Sequence, residues 1–473
     1  MQTPKTTSIK QANPITYKKI LYTKQPFEIF SKLQTHYKNA YFLESIEGPK
    51  RLAQYTFIGF SPTITIQAKN GQATTINEKT GEKTQQKTTD PLKLIQEALK
   101  PKTVHNREFR FVGGAVGYIS YDAVRYWEKL PQTKGDIDFP DVEMGIYDDG
   151  FIFDHTQQLA LYYYQEENRL SEVEKLLKPD NNQEIETLEV YEPKVNISKE
   201  HFERAVEKAK EYVTTGDIFQ VVLSKRYQFQ IKGSLIPFYQ ALRQINPSPY
   251  MYYYKAGEHQ IVGSSPEMLV RVDNRMVETF PIAGTTQITQ DQTENIRLAH
   301  QLLSDPKECA EHIMLVDLAR NDVGKISKFG SVRVPEFMKV HQYSHVQHIV
   351  SQVVGELQDN LECFDALKSV FPAGTVSGAP KVRAMEIIDE LEPSQRGPYA
   401  GAVGYFSYNG NADFAITIRT LFADKNQAYI QAGAGIVADS IPEREWVETE
   451  NKAKALMKAL KTFGGVENKS LSN

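Results

Sequence analysis

Glu308 and Glu311 stand three residues apart in "ECAEHIMLVDLARND", a stretch whose apolar residues recur at helical spacing. At i and i+3 the two carboxylates share one helix face, while Ile313, Leu315 and Val316 fall largely on the packed side. Near the other end of the chain, "EREWVETENKAKAL" repeats the device: Glu445 and Glu448 are three apart, and Lys452 lies one turn beyond Glu448. Two acid-bearing helices suit a hard, oxygen-seeking cation. Mg²⁺ takes one or two protein carboxylates and leaves its other positions to water and an anionic substrate, which fits Glu311 and Glu448. Acid pairs on helices more often form solvated faces, so spacing alone leaves both readings open.

Other clusters are weaker. His341, His345 and His348 in "VHQYSHVQHIVSQVV" would line one helix face as a zinc site, but Val346, Ile349, Val350, Val353 and Val354 are β-branched and favour a strand. On a strand His345 and His348 point to opposite faces, which leaves one histidine, His348, as a candidate acid or base beside the reading of a satisfied core residue. Gly433, Gly435 and Ala438 in "QAGAGIVADS" follow the order of a dinucleotide fingerprint, yet a β-like "IVADSIP" follows where a helix is required, and Pro442 starts the next helix. The expectation is a turn at Gly433 to Gly435, with Ala434 between them, whose backbone N–H groups cradle a carboxylate. "PAGTVSGAPK" fails the phosphate-loop pattern. Cys309 and Cys363 form no metal pattern, and Cys309, with no base partner, reads as a packed helix residue.

The elements that must position these residues are partly legible. Ser198 caps a helix running toward Gly216, with Phe202, Ala205, Val206, Ala209, Tyr212 and Val213 on its apolar face, and a β-rich "DIFQVVLSKRYQFQI" follows. Residues 178 to 200 are polar and proline-punctuated, which divides the chain into 1–185, 198–462 and a tail 463–473. "GAVGYISYD" at 114–122 and "GAVGYFSYN" at 401–409 differ at two places, as an old duplication or two sheet segments converging on one solution would. Strands and helices alternate without a βαβ rhythm, so the expected class is α+β, large antiparallel sheets covered by helices with the site in a cleft.

At 473 residues the chain has ample core, and 40% apolar and 24% charged residues with a formal charge of −4 describe a mildly acidic globular protein. No basic surplus argues for nucleic acid, and no apolar run is long enough for a membrane. The N-terminus lacks the apolar core of a signal peptide, and two cysteines fit a reducing compartment, so the expected location is cytoplasmic.

Together, "GDIFQVVLS", "NPSPYMYYY", "GSSPEMLVRV", "PIAGT", "AEHIMLVDLARND", "YSHVQHIVS", "FPAGTVSGAPKVRAMEIIDELEP", "GPYAGAVGYFS" and "GAGIVADSIPEREWVETENKA" resemble the chorismate-utilising enzymes, most closely the large subunits of anthranilate synthase. The likeness is dense from about residue 200 to 460 and thinner before it. It implies Mg²⁺ on Glu311 and Glu448, and substrate contacts from Gly284 and Thr285, Tyr399, Arg419, Gly433 to Gly435, and Lys452. It further implies Glu308 as general acid, His348 as the group that takes the C2 proton, and Thr375 in a loop lining the site. "FLESIEG" resembles the feedback pocket of these subunits, with Glu44, Ser45, Pro249, Tyr250 and Met251 as tryptophan contacts. A separate glutamine amidotransferase subunit is implied as the ammonia source, since no nucleophile elbow is visible.

Relatives that add water carry a lysine base where this chain has Gln220, and a glutamine cannot deprotonate water. Aminodeoxychorismate synthase is the nearer alternative: many members carry a lysine where this chain has Ala283, though some share "PIAGT". A non-catalytic binding relative would lack proton-handling or metal residues, and Glu308, Glu311, His348, Arg419 and Glu448 are all present.

Overall fold

The computed structural model describes residues 14–20, 25–46, 54–102, 104, 108–131, 137–178, 186–342 and 346–463. His345 and the tail from 464 onward lie outside them. Alternation at period two builds the architecture. In the strand Asn39–Glu44, Ala40 and Phe42 point to one core and Tyr41 to another, so the strand is covered on both faces. The same holds across an antiparallel sheet running from Thr16–Lys19 at one edge, through Asn39–Glu44, Tyr250–Ala256 and His259–Ser265, to Gln427–Ile436 and Gln220–Gly233. A second antiparallel sheet runs from Ile282–Gln287 and Val346–Glu356 to Lys83–Lys87. The largest apolar cluster draws on the inner faces of both sheets. Helices Pro26–His36, Ile236–Ile245 and Pro442–Phe463 contribute to a second cluster on the outer face of the first sheet.

Both sheets take strands from either side of the 178–200 connection, so the two sequence regions share continuous hydrogen-bonded layers. The echoed segments meet in the second sheet: Gly114–Ile119 and Ala402–Ser407 are antiparallel neighbours, with Gly117 opposite Gly404. Each of those glycines sits where a Cβ would strike the carbonyl of the adjoining strand, at Glu143 and Asp413 respectively. One packing demand therefore recurs on both.

The helix from Ser198 forms as Lys199–Thr214, with the Ser198 hydroxyl accepting from the His201 N–H. Pro306–Gly324 is one helix, capped by Asp305. Leu315 and Val316 are buried in it, where the helix packs against strands Ile282–Gln287 and Val346–Glu356 and helix Cys363–Val370, but Ile313 is exposed. No described helix is long and apolar enough to cross a membrane.

Candidate functional site

The expected turn at Gly433 to Gly435 is instead the end of the strand Gln427–Ile436. Gly435 lies opposite Val222 and Gly433 opposite Ser224. Those partners send their N–H groups elsewhere, Val222 to Ser377 O and Ser224 to a Glu392 oxygen. In antiparallel pairing such residues form non-hydrogen-bonded pairs, so both glycines turn their own N–H groups away from this neighbour. On the other side, pairing with Thr420–Asp424 extends only to Ile430. In place of the expected turn, a strand whose neighbour stops short leaves these N–H groups without a ladder partner on that side.

Several site residues gather around these glycines. A Cβ on Gly433 would lie 2.9 Å from the Tyr399 hydroxyl, and a Cβ on Gly435 would lie 2.4 Å from Nε2 of Gln220. That amide donates to Glu311 Oε1 at 3.2 Å, while Gln220 Oε1 is buried without a partner among the described residues. Lys452 Nζ reaches Gly433 O at 2.9 Å and Glu448 Oε1 at 2.7 Å.

His348 forms the opposite wall. Gly284, at φ +70°, is the unpaired residue of a bulge between Ala283 and Thr285, and its carbonyl turns toward His348 Nδ1 at 3.1 Å. The Thr285 hydroxyl meets the same nitrogen at 2.9 Å. Burial lowers the His348 pKa, the Gly284 carbonyl raises it, and the Arg419 charge lowers it again, so the net direction is down and the neutral ring is favoured. Arg419 belongs to the same assembly. Its guanidinium makes no hydrogen bond among the described residues, and burial lowers its pKa against the pull of Tyr399.

The acids form a third wall. A Cβ on Gly284 would lie 3.0 Å from Glu308 Oε2, which brings the helix Pro306–Gly324 against the bulge. Burial raises the Glu308 pKa, and the charges of Glu311, Asp305 and Glu448 raise it further against Lys307. The like-charge effect of Glu311 and Glu448 on one carboxyl shows a concentrated negative field, which a divalent cation would relieve. The residues present therefore fit Mg²⁺.

Sequence reasoning gave no role to Glu267. This carboxyl is buried just before the strand Met268–Asp273, and burial pushes its pKa up to about 7 against the lowering effects of the Thr375 hydrogen bond and the Lys452 charge. The Thr375 hydroxyl donates to Glu267 Oε1 at 2.8 Å. The available signal was a lone acid leading into the otherwise apolar "EMLV" of "SSPEMLVRV".

The five residues matched to a tryptophan pocket lie on neighbouring chain segments, with Tyr250 turned to the opposite face of the sheet from Met251 and Glu44. Glu44 lies opposite Met251 on adjacent antiparallel strands, and the Ile46 N–H reaches Ser248 O at 3.3 Å. Glu44 is held by the Tyr239 hydroxyl at 2.8 Å and Arg243 Nε at 2.7 Å. Pro249 is buried, and the Ser45 hydroxyl is buried without a partner among the described residues. Tyr250 donates to Asp413 at 2.9 Å and accepts from Arg271 at 3.2 Å. Next along the sheet, Ser264 lies opposite Met251 and its N–H donates to Arg419 O at 3.1 Å, so one intervening strand separates Met251 from the arginine. Of the two cysteines, Cys363 is buried, and Cys309 Sγ donates to Leu303 O.

Comparison with known proteins gives the family. A family model described as "chorismate binding enzyme" matches residues 38–458. A curated relative from Methanothermobacter thermautotrophicus, named anthranilate synthase component 1, is 46% identical over 452 residues, covering 96% of this chain and 95% of the relative. A Bacillus subtilis relative named aminodeoxychorismate synthase component 1 is 41% identical over 460 residues, covering 94% of this chain and 96% of that protein. The crystal structure of anthranilate synthase component I from Streptococcus pneumoniae superposes with a TM-score of 0.76 at 40% identity, covering 87% of this chain and 93% of that one.

Proposed function

The chain belongs to the chorismate binding enzyme family, and we propose that it acts as the large subunit of anthranilate synthase, converting chorismate and ammonia to anthranilate and pyruvate. The observation that carries this reading is the polarity of the cleft. An arginine whose guanidinium has no hydrogen-bond partner among the described residues lies by His348, while a cluster of carboxylates borders the strand of Gly433 and Gly435. A dicarboxylate fits that division, with its enolpyruvyl carboxylate on Arg419 and its ring carboxylate on the acidic side. Mg²⁺, held by Glu311 and Glu448, would supply the positive charge that makes the acidic side attractive to the ring carboxylate.

Two steps follow. Ammonia bonds to C2, the ring double bonds shift, and the 4-hydroxyl leaves as water once it receives a proton. Glu267 is assigned as the donor, since burial raises its pKa to about 7 and keeps a large share of the carboxyl protonated near neutral pH. Glu308, half-buried beside Glu311, remains in the cation's surroundings. In the second step His348 takes the C2 proton, the enolpyruvyl C–O bond breaks, pyruvate departs and the ring becomes aromatic. Gln220 has no basic group with which to activate water, which favours amination.

Aminodeoxychorismate formation is the second reading, favoured by the B. subtilis relative. Against it, Ala283 pairs with Ile349 one residue from His348 and brings no amine to the site. Neither cysteine is a glutaminase nucleophile, so ammonia comes from solution or a separate amidotransferase subunit. Tryptophan in the Glu44–Met251 pocket would act on Arg419 across one strand, provided it binds one of two conformations better. The test is purified chain with chorismate, Mg²⁺ and an ammonium salt. Anthranilate and pyruvate appearing together, and stopping on addition of EDTA, support the proposal. A 4-amino product without pyruvate replaces it with the second reading.

A further inference from the structure

Arg396 lies outside every set of residues given a role above, yet it is among the most deeply buried charges in the molecule, at 2% exposure. Its guanidinium serves three structures at once. Nη1 donates to Val376 O at 2.6 Å, in the short turn that carries Thr375. Nη2 donates to Val222 O at 2.7 Å, two residues along the strand from Gln220. Nε and Nη2 also engage both oxygens of Glu392, at 3.0 and 2.7 Å. Glu392 in turn accepts from the N–H and hydroxyl of Ser224 in the same strand. The cation lies 4.7 Å from the Tyr121 ring and 5.7 Å from the ring of Tyr399.

The Val222 N–H already donates to Ser377 O, and just beyond the turn Gly378 and Ala379 pair with Val221 and Gln220, so backbone bonds join the segment to the strand and the guanidinium closes the Val376 side of that junction. The two elements carry opposite ends of the site. One presents Thr375 to Glu267, and the other presents Gln220 to Glu311. Only a planar, forked cation can bind two carbonyls and a carboxylate together; a lysine is a point charge on a flexible stem.

We propose that Arg396 is a positioning residue that fixes the Thr375 turn against the Gln220 strand, and so sets the spacing between Glu267 and Glu311 across the cleft. It touches no substrate. The inference rests on the reading of this cleft as a chorismate-aminating site, and it extends that reading to a residue acting only through others.

The test compares wild type with Arg396→Lys, which keeps the charge and loses the fork. The expected result is a kcat lower by about 10²-fold, the cost of a displacement near 1 Å, with the chorismate KM changed far less because Arg419 and the glycine N–H groups are untouched. A second readout needs no turnover. Infrared titration of the Glu267 carboxyl, its band identified by Glu267→Gln, should show the pKa rising in Arg396→Lys, because the Thr375 bond that lowers it is weakened while Lys452 stays in place. Adding Thr375→Val should then move it no further. If Arg396→Lys lowers thermal stability alone, leaving kcat and the carboxyl titration at their wild-type values, the proposal is overturned. Should Arg396→Lys fail to fold, Glu392→Gln, which keeps the guanidinium but removes its anionic anchor, must shift the titration in the same direction or the proposal fails. A wild type that makes no anthranilate sinks the functional reading, whereas the infrared comparison still decides the role of Arg396.

Discussion

Gly435→Ala isolates the link between the glycine strand and the acidic wall. The new Cβ would lie 2.4 Å from Nε2 of Gln220, against an ordinary contact of about 3.5 Å, so the amide must retreat by about 1 Å. Its 3.2 Å bond to Glu311 has no slack for that movement and is lost. The fold gives way easily, because the clashing atom is the tip of a flexible side chain and the φ of Gly435 is not in the left-handed region. Thermal stability should therefore hold, or rise by about 0.4–1 kcal/mol through the stiffer unfolded chain. Glu311 loses the donor that orients it, which for a carboxylate near a metal costs about 10- to 100-fold in affinity. The assay is ammonia-dependent anthranilate fluorescence across a Mg²⁺ titration, with metal binding followed separately by calorimetry. The Mg²⁺ requirement should move upward by that factor, and adding Gln220→Ala should cause no further loss. A folded Gly435→Ala chain with the parent's Mg²⁺ dependence would refute the placement of Gln220 and Glu311 in one site.

Other outcomes follow from the same geometry. Thr375→Val removes the bond that holds the Glu267 pKa down, so the carboxyl stays protonated to higher pH and the alkaline limb of kcat moves upward. Burial raises the folded pKa of Glu267 above its ordinary 4.5, so stability falls as pH rises from 4.5 to about 7, and Glu267→Gln should flatten that part of a denaturant-midpoint profile. Arg419→Met should raise the chorismate KM, since a charge-assisted bond worth about 1.5–3 kcal/mol corresponds to about 10- to 150-fold, read from initial rates. Ser45→Ala should leave kcat intact and raise the melting temperature slightly by removing a buried unpartnered hydroxyl, while weakening any inhibition by tryptophan.

The helices were readable because their signals are local: Ser198 caps its helix, Pro442 opens the last one, and Glu308 and Glu311 share a face as their spacing requires. The strand character around His348 was likewise legible from its β-branched neighbours. What failed depended on distant partners. Gly433 and Gly435 look like turn glycines, yet each is small because Tyr399 or Gln220, remote in sequence, needs the space. Ile313 follows the apolar pattern of its helix but is left exposed by the strands and helices that pack against it. Glu267 was invisible as an acid because its pKa is set by burial between segments separated by more than a hundred residues, as its bond to Thr375 shows. The likeness of 114–122 to 401–409 was plain in the sequence, but not that the two segments pair with each other.

The most direct test of the central claim, that this cleft aminates chorismate with Glu267 as proton donor, compares single turnovers of Glu267→Gln and Glu308→Gln at saturating Mg²⁺ and ammonium. The account predicts that Glu267→Gln binds chorismate but yields neither an aminated intermediate nor anthranilate, while Glu308→Gln still turns over with an altered Mg²⁺ dependence. A Glu267→Gln chain that makes anthranilate at the parent's rate, beside an inactive Glu308→Gln chain, would contradict it.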